Sequence, residues 1–256
     1  MENMLVFDQV FAGYGRTTVL KGLSFNVRRG EVFGVIGPNG SGKTTMLNVL
    51  TGLIRPSAGV IRLEERNISS MSVDARCRLG IGRTFQIPRP FVRMSVYENV
   101  LVSAIFGGGM TRHTGREPAL DVLRVTGLYD RRDMLSGELT LLDRKRLEIA
   151  RAIVARPRLL LLDEVAAGLT TTEVEDVMKL VAKLKSAGFT IIWIEHIIET
   201  MIRSADRLMC ISEGSCASVG NPAEVMHSRI VEELYLGNRK ETGPRREREG
   251  TSADHR

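Results

Sequence analysis

Apolar runs alternate with amphipathic patterns along most of the chain. Continuous apolar segments at 32–36, 159–162 and 190–194 are typical of strands buried on both faces of a parallel sheet. Residues 144–155 and 174–184 instead place their apolar positions on one helical face. This alternation of strands and helices predicts an α/β fold with a mixed, mostly parallel sheet.

Weaker patterns predict further elements. Short strands are expected at 4–10, 23–27, 60–63 and 208–211. Helical patterns at 96–104 and 119–127 are separated by Gly107-Gly108-Gly109, which is a flexible break. They predict a helical subdomain inserted at about 87–156. Thr171 or Thr172 is expected to cap the helix that follows the second strong strand, and 224–236 predicts one final helix.

A glycine-rich segment joins the strand at 32–36 to a helical pattern. It reads Gly-Pro-Asn-Gly-Ser-Gly-Lys-Thr-Thr over 37–45 and matches the phosphate-loop template G-x-x-x-x-G-K-[ST]. Glycines let backbone N–H groups close around phosphate oxygens, and the helix N-terminus adds its positive dipole end. The expected nucleotide contacts are Gly37, Pro38, Asn39, Gly40, Ser41, Gly42, Lys43, Thr44 and Thr45. Lys43 would reach the β- and γ-phosphates, and Thr44 would ligate Mg²⁺.

Composition narrows the class of protein. The 256 residues are 43% hydrophobic and 26% charged, as in globular proteins, and no uncharged apolar run approaches the ~18 residues of a membrane helix. No signal-peptide pattern opens the chain. The three cysteines form no CxxC pair and are expected to be free thiols in a reducing compartment. The net charge of +6 lies partly in a charged tail at 238–256, which is expected to be disordered, and nucleic acid is not an expected partner.

Polar residues stand at the carboxyl ends of two apolar strands. Asp163 and Glu164 follow 159–162, and His196 follows 190–194 closely. In open α/β sheets ligands bind at this edge. Two other candidate site residues are Tyr14, which lies between two glycines, and Gln86, which follows a short apolar strand. By themselves, Tyr14 also fits a turn, Glu164 a surface carboxylate and His196 a structural histidine.

Taken in order, these parts resemble the ATP-binding subunit of an ABC transporter over about residues 4–237. The resemblance rests on the phosphate loop, Gln86, a helix with Ile-Ala-Arg-Ala at 149–152, the Asp163-Glu164 strand end and His196. The stretches 82–86 (Gly-Arg-Thr-Phe-Gln), 95–99 (Ser-Val-Tyr-Glu-Asn) and the end from Pro222 to Gly237 look like the branched-chain amino acid uptake ATPases. The fold implied is that of the phosphate-loop ABC ATPases, in a domain at 1–237.

The resemblance implies a role for each matched residue. Tyr14 would stack on adenine, and Glu164 would be the general base for the attacking water. Gln86 would sense Mg²⁺ or the γ-phosphate and couple to the membrane subunit, and His196 would contact the γ-phosphate. Asp163 would hold Mg²⁺ through water, which gives a metal site of Thr44, Gln86 and Asp163. The implied cofactors are ATP and Mg²⁺.

The chain departs from the family pattern in several places. Val165 replaces the usual proline, Thr170 replaces an Asp or Asn, and Ile197 replaces an acidic residue. The signature Leu-Ser-Gly-Gly-Gln falls on Leu139-Thr140-Leu141-Leu142-Asp143. Leu135-Ser136-Gly137-Glu138 matches better by composition but lies four residues too early, and it is interpreted as a decoy. Leu141 and Leu142 would place two branched side chains where a partner's phosphate should come close. Thr140 with Asp143 is expected to form a capping box, and Asp143 would add a negative charge near that phosphate.

The function implied is an ATPase subunit that powers import of branched-chain amino acids or a related solute such as urea, amides or aromatic acids. Its implied partners are membrane permease subunits, a second ATP-binding subunit and, indirectly, a periplasmic solute-binding protein. Because the signature is altered, the second subunit is expected to be a sister ATPase in a heterodimer. The location implied is the cytoplasmic face of the plasma membrane. The segment 86–97, with Phe91, Val92 and Met94, is predicted to dock the permease, unless it is subdomain core.

Two alternative functions fit the sequence less well than a transporter ATPase. A soluble ABC ATPase of translation or DNA repair usually has two cassettes or long coiled-coil inserts, and the chain has one cassette and neither insert. The other alternative is a phosphate-loop kinase or GTPase, and a GTPase would need the guanine-reading Asn-Lys-x-Asp, which does not occur.

Overall fold

The computed structural model of the chain describes residues 2–236. The predicted charged tail at 238–256 lies outside the described residues, as does Gly237 at the end of the predicted domain. Among the residues described, no helix combines the length and apolar character that crossing a membrane requires.

The strands form two sheets. In chain order they are β1 (Asn3–Tyr14), β2 (Thr17–Arg28), β3 (Val32–Ile36), β4 (Ala58–Leu63), β5 (Arg66–Asn67), β6 (Ile81–Arg83), β7 (Leu159–Asp163), β8 (Thr190–Ile194), β9 (Arg207–Ser212) and β10 (Ser215–Gly220). One sheet has the order β2-β1-β4-β5 and is antiparallel. The other has the order β10-β9-β3-β8-β7-β6, and only the β9–β10 pair in it is antiparallel. The predicted α/β class with a mixed, mostly parallel sheet is confirmed for this central sheet.

The helices are α1 (Lys43–Thr51), α2 (Val73–Arg78), α3 (Val96–Phe106), α4 (Arg116–Thr126), α5 (Leu141–Ile153), α6 (Thr171–Ser186), α7 (Ile198–Ser204), α8 (Pro222–Met226) and α9 (Arg229–Leu236). The single helix predicted at 224–236 is wrong, because α8 ends before His227 and α9 begins anew. The cap of α6 is Thr170 rather than Thr171 or Thr172; its side chain accepts a hydrogen bond from the backbone of Glu173 in a capping box.

Three apolar cores lie between these elements. The first fills the space between the two sheets and includes Phe7, Phe25 and Phe33, whose rings stack in sequence. The second packs α5 and α6 on the other face of the central sheet around Trp193. The third joins α3, α4 and α5 into a helical unit of their own. Helices from one continuous stretch therefore share a core separate from the sheet, in the region where an inserted subdomain is predicted.

A buried arginine of α2 fixes the end of α1. Arg76 is fully buried and donates to the carbonyl oxygens of Val49 and Leu50 at 2.6 and 2.9 Å. These carbonyls belong to the last turn of α1, where few backbone donors are left within the helix; Val49 also accepts from the N–H of Gly52 at 3.2 Å. Burial lowers the pKa of Arg76 to about 10, so the side chain remains a cation at neutral pH and anchors the helix that follows the phosphate loop.

Candidate functional site

The phosphate loop leaves the sheet at the carboxyl end of β3. All five residues of β3 are buried, and the strand lies between β8 and β9 with parallel pairing on both sides. Gly37 has φ 153°, and a Cβ there would lie 2.2 Å from the carbonyl oxygen of Ile211. Gly42, with φ 111°, is the residue from which α1 begins. Only glycine suits these two positions, so the template residues are required by the local geometry.

The side chain of Lys43 folds back onto the loop that precedes it. Its Nζ donates to the carbonyl oxygens of Gly37 and Pro38 at 2.7 and 2.9 Å, and the side chain is buried. Burial lowers the pKa of Lys43, while the nearby Glu164 carboxylate opposes that shift. Within residues 2–236, the buried Oγ of Ser41 has no hydrogen-bond partner. A buried hydroxyl without a partner costs free energy, and it fits a loop built to receive phosphate oxygens.

Glu164 stands in a strained turn directly after β7. Its φ is 49°, which places a residue other than glycine in the left-handed region. Nε2 of Gln86 donates to one carboxylate oxygen of Glu164, and Nε2 of His196 hydrogen-bonds the other. The structure thus brings together three side chains that are far apart in sequence, and each had been predicted as catalytic.

One cavity of about 420 Å³ joins the phosphate loop to these side chains. Its lining residues are Val19, Asn39, Gly40, Ser41, Gly42, Lys43, Thr44, Thr45, Gln86, Glu164 and His196. Tyr14, Gly37, Pro38 and Asp163 do not line it. Gly37 and Pro38 contribute their carbonyl oxygens to Lys43 from behind the loop.

Asp163 and Tyr14 are linked to each other instead. Oδ2 of Asp163 accepts a hydrogen bond from Arg83, which also contacts Asn48 on α1, and Asn48 donates to the hydroxyl of Tyr14. Burial raises the pKa of Asp163, and Arg83 opposes the rise. The Tyr14 ring is exposed at the end of β1, where a flat ligand has access to it.

Two buried charged residues that the sequence did not reveal hold the turn around Glu164. Nζ of Lys145, on α5, donates to the backbone carbonyl oxygens of Glu164 at 2.9 Å and of Gln86 at 3.4 Å. The Glu195 carboxylate accepts from the backbone N–H of Ala166 at 2.7 Å and from the Trp193 indole at 3.1 Å. Burial lowers the pKa of Lys145 and raises that of Glu195. Both residues act on backbone atoms, which no sequence motif marks.

The oxygens at the loop suit Mg²⁺. Thr44 is exposed in the cavity, and together with the Gln86 amide and the Asp163 carboxylate it provides the hydroxyl, carbonyl and carboxylate oxygens that this ion takes. The chemistry of these oxygens suits the ion, whereas Asp163 stands outside the cavity, so the metal site stays a prediction.

The altered signature is arranged differently from the sequence prediction. Thr140 is the N-cap of α5, and its hydroxyl accepts from the backbone of Asp143 at 3.3 Å. The capping box is only half formed, because the Asp143 carboxylate contacts the Thr140 hydroxyl, at 3.1 Å, rather than its backbone N–H. Asp143 is buried and paired with Arg131 and Arg146, so its charge is not presented to a partner. The negative charge expected near a partner's phosphate is therefore paired within this chain.

The two leucines of the signature also differ from each other. Leu141 is 45% exposed, whereas Leu142 packs against the core of α5 and α6. The earlier Ser136 is fully buried and donates to the Phe91 carbonyl oxygen at 2.8 Å. Its hydroxyl is therefore occupied within the fold, which supports the interpretation of 135–138 as a decoy.

Exposed apolar side chains follow Gln86. Phe91 and Val92 are 47% and 57% exposed, whereas Met94, predicted to be exposed with them, is half-buried. Arg151 lies over the Phe91 ring at 5.3 Å from its centroid. A groove of about 310 Å³ runs between Phe91, Phe106 and Arg83, and a second of about 210 Å³ lies between Phe85 and Leu53. This face is apolar enough to receive another protein.

Comparison with known proteins adds to this geometry. The family model described as ABC transporter matches residues 20–167. The lipopolysaccharide export system ATP-binding protein LptB of Acidithiobacillus ferridurans is 33% identical over 241 residues, covering 93% of this chain and 98% of that one. The high-affinity branched-chain amino acid transport ATP-binding protein LivG of Salmonella typhimurium is 34% identical over 249 residues, covering 91% and 98%.

Solved structures show the same fold. The ADP conformation of MJ1267, an ATP-binding cassette of an ABC transporter, superposes with a TM-score of 0.85 at 30% identity, covering 93% of this chain and all of that one. The ATP-binding cassette MJ0796, in a dimeric post-hydrolysis state bound to ADP and Pi, gives a TM-score of 0.76 at 26% identity, covering 86% and 99%.

Proposed function

Since this chain belongs to the ABC transporter family as an ATP-binding subunit with ATPase activity, we propose that it powers the import of branched-chain amino acids or a related small solute. The observation that carries its ATPase role is the cavity in which Lys43, Gln86, Glu164 and His196 meet. A phosphate loop and the strand-end carboxylate of Glu164 line the same cavity of about 420 Å³.

Each residue has a distinct part in this proposal. ATP would lie with adenine on Tyr14 and its phosphates in the loop, where Lys43 exchanges its two backbone carbonyls for phosphate oxygens. Glu164 would take the proton from the attacking water, in a position set by Gln86 and His196. The unpartnered Ser41 hydroxyl would gain an acceptor. Mg²⁺, held by Thr44, Gln86 and Asp163, would neutralise phosphate charge when bound.

The proposed partners follow from the family and from the surface. ABC ATPases work with membrane components and dimerise, and MJ0796 is a dimer in its post-hydrolysis state. We place the apolar face at Phe91 and Val92 against a permease subunit, which puts the chain on the cytoplasmic side of the membrane. A second ATP-binding subunit would contribute its signature to the site described above, and a periplasmic solute-binding protein would act through the permease.

The solute has two candidates. Import of branched-chain amino acids is supported by relatives such as LivG and BraF of Pseudomonas aeruginosa, both 34% identical to this chain. Lipopolysaccharide export is the second candidate, because LptB proteins are 30–33% identical over similar lengths. A soluble role in translation or DNA repair is not favoured by these relatives.

One experiment distinguishes the two candidates. Cells that carry Glu164→Gln in place of the wild-type chain are tested for uptake of radiolabelled leucine and for the amount of lipopolysaccharide at the cell surface. Loss of leucine uptake with unchanged lipopolysaccharide supports the import proposal. Loss of surface lipopolysaccharide with normal uptake assigns the chain to export. Identification of the membrane proteins that copurify with the tagged wild-type chain checks the same point independently.

A further inference from the structure

Arg83 makes a buried contact with the carboxylate proposed to serve the metal. It stands at the end of β6, and its side chain is only 8% exposed. One terminal nitrogen, Nη2, donates to Oδ2 of Asp163 at 2.9 Å, and the other, Nη1, donates to Oδ1 of Asn48 at 2.8 Å. The planar guanidinium thus bridges two elements, the end of β7 and the helix α1 that follows the phosphate loop.

The contacts continue to the side on which adenine is expected. Nδ2 of Asn48 donates to the hydroxyl of Tyr14 at 3.1 Å. Three hydrogen bonds therefore connect the Tyr14 ring to Asp163 through Asn48 and Arg83. Asn48 lies outside the phosphate-loop motif, and Arg83 belongs to the stretch 82–86 that resembles the branched-chain amino acid uptake ATPases.

The two hydrogen bonds of Arg83, to Asp163 and to Asn48, form a fork that determines the position of the guanidinium. Its Nε is buried and has no partner within the described residues. The Phe85 ring lies 5.3 Å from Cζ, so the guanidinium lies between an aromatic ring and its two acceptors. A buried ion pair brings little net stability after desolvation. Stability of the fold alone therefore does not explain why Arg83 and Asp163 form a buried ion pair.

The fork also leaves one carboxylate oxygen available. Within residues 2–236, Oδ2 of Asp163 is bound by Arg83, whereas no side-chain hydrogen bond reaches Oδ1. A carboxylate with one oxygen held by a donor and the other unoccupied is oriented for a ligand. In metal sites such outer partners of a ligand fix its direction, and their loss lowers metal affinity by about 10- to 100-fold.

We propose that Arg83 is a positioning residue for Mg²⁺, which orients Asp163 and ties it through Asn48 to Tyr14. The inference rests on the proposed role of Asp163 in holding the metal. In this role Arg83 acts through the carboxylate that it holds and is not itself a ligand of the ion. Since Arg83 also lines both apolar grooves, it places the metal carboxylate next to the surface proposed to meet the permease.

The test measures binding rather than turnover. The affinity of the purified chain for a fluorescent, non-hydrolysable ATP analogue is measured against Mg²⁺ concentration and again in excess EDTA. Arg83→Met should raise the Mg²⁺ concentration that half-maximally tightens binding by about tenfold or more, the scale for a lost outer partner, and leave affinity in EDTA within about twofold. Arg83→Lys should recover part of the effect, because one ammonium can reach Asp163 but cannot also fork to Asn48.

Further variants keep the test decisive. Asn48→Ala removes one arm of the fork without removing a buried charge, and it should shift the Mg²⁺ dependence in the same direction by less. Arg66→Met, at an exposed arginine of β5, should match the wild type. If Arg83→Met does not fold, Arg83→Lys and Asn48→Ala decide, and wild-type Mg²⁺ dependence in both overturns the inference.

Two results separate this inference from the ATP site itself. A wild-type chain that binds the analogue in an Mg²⁺-dependent way, with an Arg83→Met variant that shows the same dependence, overturns the inference and leaves the proposed ATP site in place. An equal loss of affinity in Mg²⁺ and in EDTA also overturns it, because Arg83 would then serve the nucleotide rather than the metal. A wild-type chain that binds no nucleotide would contradict both.

Discussion

Glu164 owes its position to backbone strain that its neighbours maintain. A left-handed conformation outside glycine costs about 1–3 kcal/mol, and it persists here because the carboxylate, the carbonyl and the amide of Glu164 are all hydrogen-bonded. Its carboxylate is thereby turned toward the cavity instead of the solvent. Such preorganisation is what a general base requires, since the water it activates must lie within hydrogen-bonding reach.

Two substitutions test the roles of this base and of the phosphate loop. Glu164→Gln should preserve ATP binding, because the amide keeps the shape and one acceptor, and should slow hydrolysis by about 10²-fold or more, the scale of a lost general base.

Lys43→Ala should abolish tight ATP binding or turnover, because it removes the cation of the loop. Equilibrium binding of labelled ATP and phosphate release, measured side by side, separate the two effects. Normal hydrolysis by Glu164→Gln would remove Glu164 from the catalytic role.

The sequence revealed those residues whose chemistry is tied to a local pattern. Lys43 belongs to a contiguous motif, and Asp163 and Glu164 follow an apolar run that could only be a buried strand. Arg83 and Lys145 gave no such signal, because their partners are distant in the chain and include backbone carbonyls. A charged residue within an amphipathic helix or at a short strand's end ordinarily faces solvent, and only the fold shows that these two do not.

At the scale of elements, α5 connects the signature to the catalytic turn. Its first residues belong to the face proposed to meet a second ATP-binding subunit, and Lys145, on its second turn, reaches the Glu164 and Gln86 carbonyls. A shift of the helix along its axis would therefore move the donor that holds the general base. One helix thus carries the signature at its N-terminus and the lysine that holds the turn of the proposed general base.

Lys145→Met should lower kcat and spare ATP binding. Methionine keeps the length and the apolar stem but removes the ammonium, so the turn at Glu164 loses its donor. A misplacement of about 1 Å can cost about 10²-fold in rate, and we expect a fall of at least about tenfold with KM within about twofold. Lys145→Arg should restore part of the rate, and Lys179→Met, on the exposed face of α6, serves as the control. A KM that rises as much as kcat falls, with partial rescue absent, would show a structural role only.

The elements themselves were predicted unevenly for a physical reason. The strands β3, β7 and β8 are buried along their whole length, so each appears in the sequence as an apolar run that predicts a central strand. The break between α8 and α9 was not predicted, since the apolar spacing continues through His227. The short β5 and α2 were missed as well, because they are held by contacts such as those of Arg76 rather than by periodicity.

At the scale of the molecule, the apolar face beyond Gln86 is the proposed contact with the permease. Phe91 and Val92 are exposed and lie beside a groove, while neighbouring Met94 is half-buried. A cysteine at Arg89 or Arg93, both exposed, should crosslink to a cytoplasmic helix of the permease in the assembled complex. A cysteine at the exposed Arg66 is the control. Thiol labelling at Arg89 and Arg93 that does not change when permease is added would contradict this docking.

The structure revises the reasons for expecting a sister subunit. Asp143 is buried and paired, and Leu142 is packed in the core, so neither side chain supports that expectation any longer. What remains is the loss of both glycines, the exposed Leu141 and a Thr140 hydroxyl already bonded to its own helix. Glycine permits close backbone approach to an anion, so this face still offers less to a phosphate than the family pattern does.

We therefore expect this chain to work with a sister ATPase whose signature completes the site at Lys43 and Glu164. Purified alone, it should hydrolyse ATP weakly and without cooperativity, and the rate should rise when the sister subunit is added. In the mixed complex, Glu164→Gln in this chain should stop most turnover, while the matching change in the sister should matter less, because the sister's ATP faces Thr140 and Leu141. Leu141→Gly should raise the activity of the chain alone, since it removes the exposed side chain, and Leu142→Gly should instead lower the thermal unfolding midpoint. Rapid, cooperative hydrolysis by the wild-type chain alone would show that Thr140 and the free N–H groups of α5 suffice for a homodimer.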